Sequence, residues 1–214
     1  MRYGDGMTST RIRITATLAG LAAVVALSSC STAAKEDPSA GASTAASASS
    51  GSQAAHNEDD VMFAQMMIPH HQQAVELAGL VPDRSTNAAV IKLAATVSAQ
   101  QQPEIDTMRA ALKQWGVNPD EMAHGSGHAG MTMQGMVDDA TMVKLEALKG
   151  AEFDALWLKS MISHHKGAIE MADVEIKDGA NPEMVTLAKN IVSAQQAEID
   201  QMTSMLTGLG VHGG

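Results

Sequence analysis

The chain has 214 residues, with 24 acidic against 14 basic side chains and a net charge of −10; that length suits one domain or two small ones. The acidic balance, with no Lys/Arg cluster able to follow a phosphate backbone, argues against a nucleic-acid partner. Aromatic residues at 2% argue against a sandwich or barrel, and a lone cysteine leaves neither a disulfide framework nor paired CxxC zinc ligands. The outliers are 16 methionines and 8 histidines.

In chain order, residues 1–29 read as a secretory signal. Arg11 and Arg13 precede an apolar and small stretch from Ile14 to Leu27, about 21 Å as a helix and too short for a bilayer of about 30 Å. Leu27-Ser28-Ser29-Cys30 resembles a bacterial lipobox, which predicts acylation of Cys30 and a lipid anchor on the outer side of the cell membrane. Residues 30–55 are Ala/Ser/Gly-rich without apolar periodicity, the composition of a flexible tether. Cleavage before Cys30 removes Arg2, Arg11, Arg13 and Asp5 and leaves a mature net charge of −12.

Residues 56–214 carry one unit twice. Shifted by 94 residues, Asp60–Val117 falls on Asp154–Val211 without a gap, with 20 of 58 positions identical. The repeats span 57–117 and 138–212, joined by a linker over 118–137. Each reads as a helical hairpin. Phe63, Met67, His70, Ala74, Leu77 and Val81 recur at three- and four-residue steps, as do Trp157, Met161, His164, Ala168, Met171 and Val174. Second helices follow from Asn87 and from Asn181-Pro182, residue types suited to N-cap and first-turn positions. A shorter helix is expected over about 138–148. Pro69 and Pro103 fall within the patterns and predict kinks or interruptions. Two hairpins make an all-α four-helix bundle.

The polar residues of the apolar stripes carry the chemistry. His70 and His164 fall on the core face, with His71 and His165 on its shoulder; Gln101, Glu104, Gln195 and Glu198 also fall on core-facing positions. Buried imidazoles and carboxylates need hydrogen-bond partners or a metal. Met67 lies one turn before His70 and His71, and Met161 one turn before His164 and His165, which sets a metal site level with structural histidines bonded to buried Glu or Gln. If the first hairpin turns near residues 82–86, Glu104 lies about 9 Å along the axis from His70. Met67, His70, His71 and Gln101 then form the tighter layer.

The linker adds Met122, His124, His128, Met131, Met133 and Met136 in a Gly-rich run without a helical stripe. Thioethers with imidazoles suit Cu(I), and the imidazoles accommodate Cu(II); a linker of merely biased composition is the alternative. Zinc and iron are the other candidate metals, zinc the weaker because HExxH and cysteine pairs are absent. The linker is expected to bind Cu(I) independently of the fold, and the helical residues only when folded.

Met-Ile-x-His-His-x-x-Ala-hydrophobic-Glu-x-Ala, followed by Gln-x-x-Glu-Ile-x-x-Met, resembles the domain-of-unknown-function 305 family, as does Gly150-Ala151-Glu152-Phe153-Asp154. The resemblance covers nearly all of 57–212. It implies a ferritin-like bundle of two hairpins, and an association with copper binding and tolerance in secreted members. Its motif falls on Met67, His70, His71, Glu76, Gln101, Glu104 and Met108, and on Met161, His164, His165, Glu170, Gln195, Glu198 and Met202. Gln72-Gln73 departs from the usual x-Gly, away from the proposed ligands. The expected function is copper buffering or chaperoning without catalysis. A metal-free helical interaction module is the alternative from another class. A metal-dependent oxidase is disfavoured, because no Glu-x-x-His falls on the helical repeats, Glu121-x-x-His124 being in the linker, and Glu76 and Glu170 leave the histidine face.

Overall fold

Helix α1 (Glu58–Leu80) starts at Asn57, whose side chain accepts from the Asp60 amide while the Asp60 carboxylate accepts from the Asn57 amide at 2.6 Å. This reciprocal cap, with Glu58, Asp59 and Asp60 in the first turn, suits the positive end of the helix dipole. A 3₁₀ turn at Val81–Asp83 leads to α2 (Ala88–Gln114), capped by Asn87. After the linker come a short α3 (Asp139–Ala147), capped by Asp138, then α4 (Gly150–Asp178) and α5 (Pro182–Gly208), capped by Asn181. The computed structural model describes residues 55–120 and 133–210. The signal segment, Cys30, the tether, and Met122, His124, His128 and Met131 lie outside the described residues.

The four long helices form the bundle: α1 packs on α2, α4 on α5, and α1 against α4. Two apolar clusters give the directions. One gathers Ala74–Val81 of α1 and the adjoining turn, Val90–Val97 of α2, Phe153–Met161 of α4 and Ile199–Leu206 of α5. The other gathers Phe63–Ile68, Ile105–Leu112, Ala168–Ala172 and Met184–Ile191. The C-terminal half of α1 therefore shares a core with the N-terminal half of α4, so these two helices run antiparallel. In every long helix, the stretch between its two apolar segments carries the buried histidines, glutamines and glutamates. A polar layer crosses the middle of the bundle.

Neither proline interrupts its helix: α1 runs through Pro69 and α2 through Pro103. Each forgoes one N–H bond and presses its ring on the carbonyl four residues back. Pro103 sits on the exposed face with Ala99, where water can take up the released carbonyl. Pro69 is flanked by wholly buried residues, Met67 and Ile68 before it and His70 and His71 after it, so packing on both sides holds the helix.

One end of the bundle is tied by Asp60, which also accepts from the Ala180 and Asn181 amides in the α4–α5 turn. Across α1 and α4, the Trp157 indole donates to the Leu77 carbonyl at 2.9 Å, satisfying a buried donor. Among the described residues no helix is long and apolar enough to cross a membrane.

Candidate metal centre

His70, His71, His164 and His165 are all 0% exposed. The shoulder positions expected for His71 and His165 prove as deeply buried as the stripe, with Glu104 of α2 and Glu198 of α5 against them. The rings of His70 and His164, equivalent residues of the two repeats, lie 3.7 Å apart between centroids at 36°. Contact between equivalent residues places the pseudo-twofold axis of the duplication at this pair.

The glutamates pair with the second histidine of each doublet. His71 Nε2 meets Glu104 Oε2 at 2.8 Å, and His165 Nε2 meets Glu198 Oε2 at 2.7 Å. The axial offset of about 9 Å expected from helix rise is spanned because side chains lean toward the N-terminus of their own helix. In antiparallel α1 and α2 that lean tilts His71 and Glu104 toward each other. With each carboxylate accepting, Nε2 carries the proton and Nδ1 is left with its lone pair. This carboxylate–histidine arrangement orients metal-binding imidazoles.

The remaining ring nitrogens decide what the layer can do. His70 Nε2 contacts the Gln134 carbonyl oxygen at 3.1 Å. His70 Nδ1, His71 Nδ1, His165 Nδ1 and both nitrogens of His164 are buried without a hydrogen-bond partner among the described residues. So are both amide atoms of Gln101 and of Gln195, and Glu198 Oε1. An unpartnered buried polar group costs about 1–3 kcal/mol, and ten in one layer would cancel a domain stability of about 5–15 kcal/mol. The layer is chemically suited to an added partner that accepts lone pairs. Burial holds the His70 imidazole down at about 3 against the opposing effect of the Gln134 carbonyl. Burial, reinforced by His70, holds His164 well below its ordinary value. Both are neutral near pH 7, with no proton competing for the lone pair.

Among the described residues no group of three or more His, Cys, Asp or Glu side chains is arranged to hold a metal ion. Met67 and Met108 are wholly buried in one apolar cluster, and Met161 and Met202 in the other. The layer thus has thioether-bearing cores on both sides. Gln101 and Gln195 are 2% and 3% exposed, and Gln101 does not hydrogen-bond to the histidines with which the spacing grouped it.

The end of the linker lies on this layer. The backbone at Gln134-Gly135 crosses α4 so closely that a Cβ on Gly167 would collide with the Gln134 carbonyl, and one on Gly135 with the Ser163 carbonyl. Gly135 holds φ +81, a conformation that favours glycine. Gln73 fastens the other side: its amide nitrogen donates to the Val137 carbonyl and its amide oxygen accepts from the Val137 amide, both at 2.8 Å. Half-buried Met133 and Met136 flank this crossing. The linker end and the helical histidines are thus adjoining, not separate as their sequence positions suggest. Nor is Gln73 remote from the proposed ligands.

The sequence pattern of the family described as "Domain of unknown function (DUF305)" matches residues 60–206. The chain belongs to the DUF305 family. A DUF305 protein of Streptomyces coelicolor, classed as secreted, is 32% identical with a TM-score of 0.69, over 73% of this chain and 96% of that one. A DUF305 fragment from Deinococcus radiodurans is 34% identical with a TM-score of 0.63, over 71% and 97%. CopM in its Cu(I)-bound form is 28% identical with a TM-score of 0.59, over 70% and 96%, and CopM structures with Cu(II) and silver are also similar. Among curated proteins none matches significantly. A DUF305 helical bundle is the identity these findings support.

Sequence reasoning overlooked Gln73, Gly167 and the Gln134 carbonyl. Their trace was present: Gln73 and Gly167 occupy equivalent positions of the repeat and differ, inside a motif otherwise nearly duplicated.

Proposed function

We propose that this DUF305 protein binds copper at the central histidine layer and serves as an extracytoplasmic buffer or chaperone rather than a catalyst. The observation that carries the reading is the five unpartnered ring nitrogens of His70, His71, His164 and His165 in one buried layer. Glu104 and Glu198 orient two of the four rings from behind. These imidazoles are the primary ligands, with Met67, Met161, Met133 and Met136 as candidate thioether donors; bound copper would be cargo. Soft thioethers favour Cu(I) and imidazoles accept either oxidation state. The CopM structures with Cu(I), Cu(II) and silver are in line with copper in either oxidation state as the cargo. Gln101, Gln195, Met108 and Met202 stand behind these ligands in the same layer and cores.

Outside the bundle, Met122, His124, His128 and Met131 would extend the thioether and imidazole supply. Acylation at Cys30 would hold the protein at the membrane, a location in line with the secreted relative. Cys30→Ser should move the protein from the membrane fraction to the soluble one; retention in the membrane would refute the anchor.

Copper binding is tested by titrating Cu(I) and Cu(II) into the chain while following stoichiometry and melting temperature. Binding to the native state alone stabilises by about 2.7 kcal/mol at a hundredfold excess over Kd. The expected result is a raised melting temperature, lost when His70, His71, His164 and His165 are replaced together while the fold remains helical. If neither ion binds the native chain, the layer is structural and the helical interaction module is the better reading.

A further inference from the structure

The two repeats are nearly equivalent in their ligands and unequal in what touches them. Three of the four buried imidazoles have Nε2 engaged: His71 by Glu104, His165 by Glu198, and His70 by the Gln134 carbonyl. His164, the equivalent of His70, receives no carbonyl from the strap; its ring lies beside the His70 backbone, with no well-formed hydrogen bond at either nitrogen among the described residues. The source of the inequality is residues 134–137, a single strap that packs its backbone on Ser163, His164 and Gly167 of α4 but offers its Gln134 carbonyl to the His70 ring of α1. A symmetric second strap has no seat, because the position equivalent to the Gly167 groove is filled by the Gln73 side chain. That same side chain clamps Val137 through both of its amide atoms.

We propose that Gln73 and Gly167 are positioning residues that seat the 134–137 strap and thereby make His70 a fixed ligand and His164 the exchangeable one. A carbonyl oxygen can only accept, so the Gln134 contact requires the proton of His70 on Nε2 and leaves Nδ1 as the lone-pair donor. His164 has no strap carbonyl to set its proton and is the less constrained ring. An incoming soft cation therefore meets one ring less constrained in its donor atom and one already set. The duplication supplies two copies of a ligand, and the single difference at positions 73 and 167 gives them different roles. In this scheme Met133 and Met136, on either side of the crossing, travel with the strap and are held beside the histidine pair. The metal part of the inference rests on the copper-binding reading; the tautomer part does not.

The test uses the full chain labelled with nitrogen-15 at histidine, as wild type, Gln73→Met and Gly167→Ala. Gln73→Met keeps the length of the side chain and removes both hydrogen bonds. Gly167→Ala leaves the clamp and fills the groove. Long-range proton–nitrogen spectra without metal report each ring's tautomer, and circular dichroism with thermal melting reports the fold. In the wild type His70 should read as a single Nε2-protonated tautomer and His164 as an exchanging mixture. In both variants His70 should become mixed while His71 and His165 are unchanged. Silver(I), a redox-silent probe for soft ions, should perturb His164 before His70 in the wild type. It should bind about 10–100-fold more weakly in the variants, the scale for lost second-layer contacts.

If His70 keeps one tautomer in both variants, or if His70 and His164 are already alike in the wild type, the inference is overturned. If one variant fails to fold, the other decides alone. If the tautomers shift as expected but wild type binds neither silver nor copper, the positioning role stands and the copper-binding reading fails.

Discussion

Glu104 and Glu198 each place one carboxylate oxygen on an imidazole that faces the centre of the bundle, so their influence on a ligand is indirect. Replacing either with glutamine preserves volume but lets the amide present a donor to Nε2, which permits the wrong tautomer. Glu104→Gln and Glu198→Gln should each weaken copper binding by about 10–100-fold with little change in helicity, as read by competition with a chromophoric chelator. Unchanged affinity in both would remove the glutamates from the site. A different carboxyl behaves oppositely at the bundle end. Glu175 is 1% exposed and lies under Gly179, facing Asp60, which is committed to three backbone amides. Burial first, and the Asp60 contact next, push Glu175 up to about 8 from its ordinary 4.5. The folded state then holds a proton that the unfolded state has released between these two values. By linkage, stability is lost as pH rises through that window and is flat above it. Glu175→Gln should flatten this part of the stability profile from about pH 4.5 to 8 in urea unfolding; an unaltered slope would show that Glu175 ionises freely.

At the scale of elements, the helices begin at short polar side chains that compete for orphan amides. Asn181 is the most heavily used, accepting from the Glu183 and Met184 amides while 3% exposed. Asn181→Ala should destabilise by about 1–2 kcal/mol, seen as a lower urea midpoint at constant slope; no loss would mean that the α5 start is held by Pro182 and the Asp60 tie alone. These starts were legible in the sequence because a cap followed by a stripe at three- and four-residue steps is a local pattern. The bundle itself was legible because the stripes of Phe63–Val81 and Trp157–Val174 repeat at a constant offset. The prolines misled because propensity weighs a single backbone bond, whereas Pro69 is flanked by buried residues and Pro103 faces solvent. The burial of His71 and His165 was not readable from one helix, since it depends on the helices that pack on it, which bring Glu104 and Glu198 to these rings. Least legible was the strap: close approach of one backbone to another needs only the absence of a side chain, and Gly167 records it without naming what approaches.

For the whole molecule, the decisive feature is that two apolar cores are separated by a polar layer made of residues from all four long helices. A bundle selected only for stability would fill that level with leucine, because an apolar replacement of similar volume removes the cost of unpartnered amides and rings. Retaining His70, His71, His164 and His165 together with Gln101 and Gln195 in the middle is thus a cost that function must justify. The glutamines separate this argument from the ligand question, since neither hydrogen-bonds to a histidine. Gln101→Leu and Gln195→Leu exchange side chains of comparable size and remove four buried polar atoms without protein partners. Each should stabilise the metal-free protein by about 1–3 kcal/mol. The two should be additive only if their amides do not share a partner, which the double variant measures. Copper binding distinguishes the causes: if the glutamines only line the layer, affinity in the double variant stays near wild type while the metal-free melting temperature rises. If both variants are destabilised instead, the amides hold a partner in solution that the layer needs, and the polar level is a cohesive structural network rather than a reserve of free ligands.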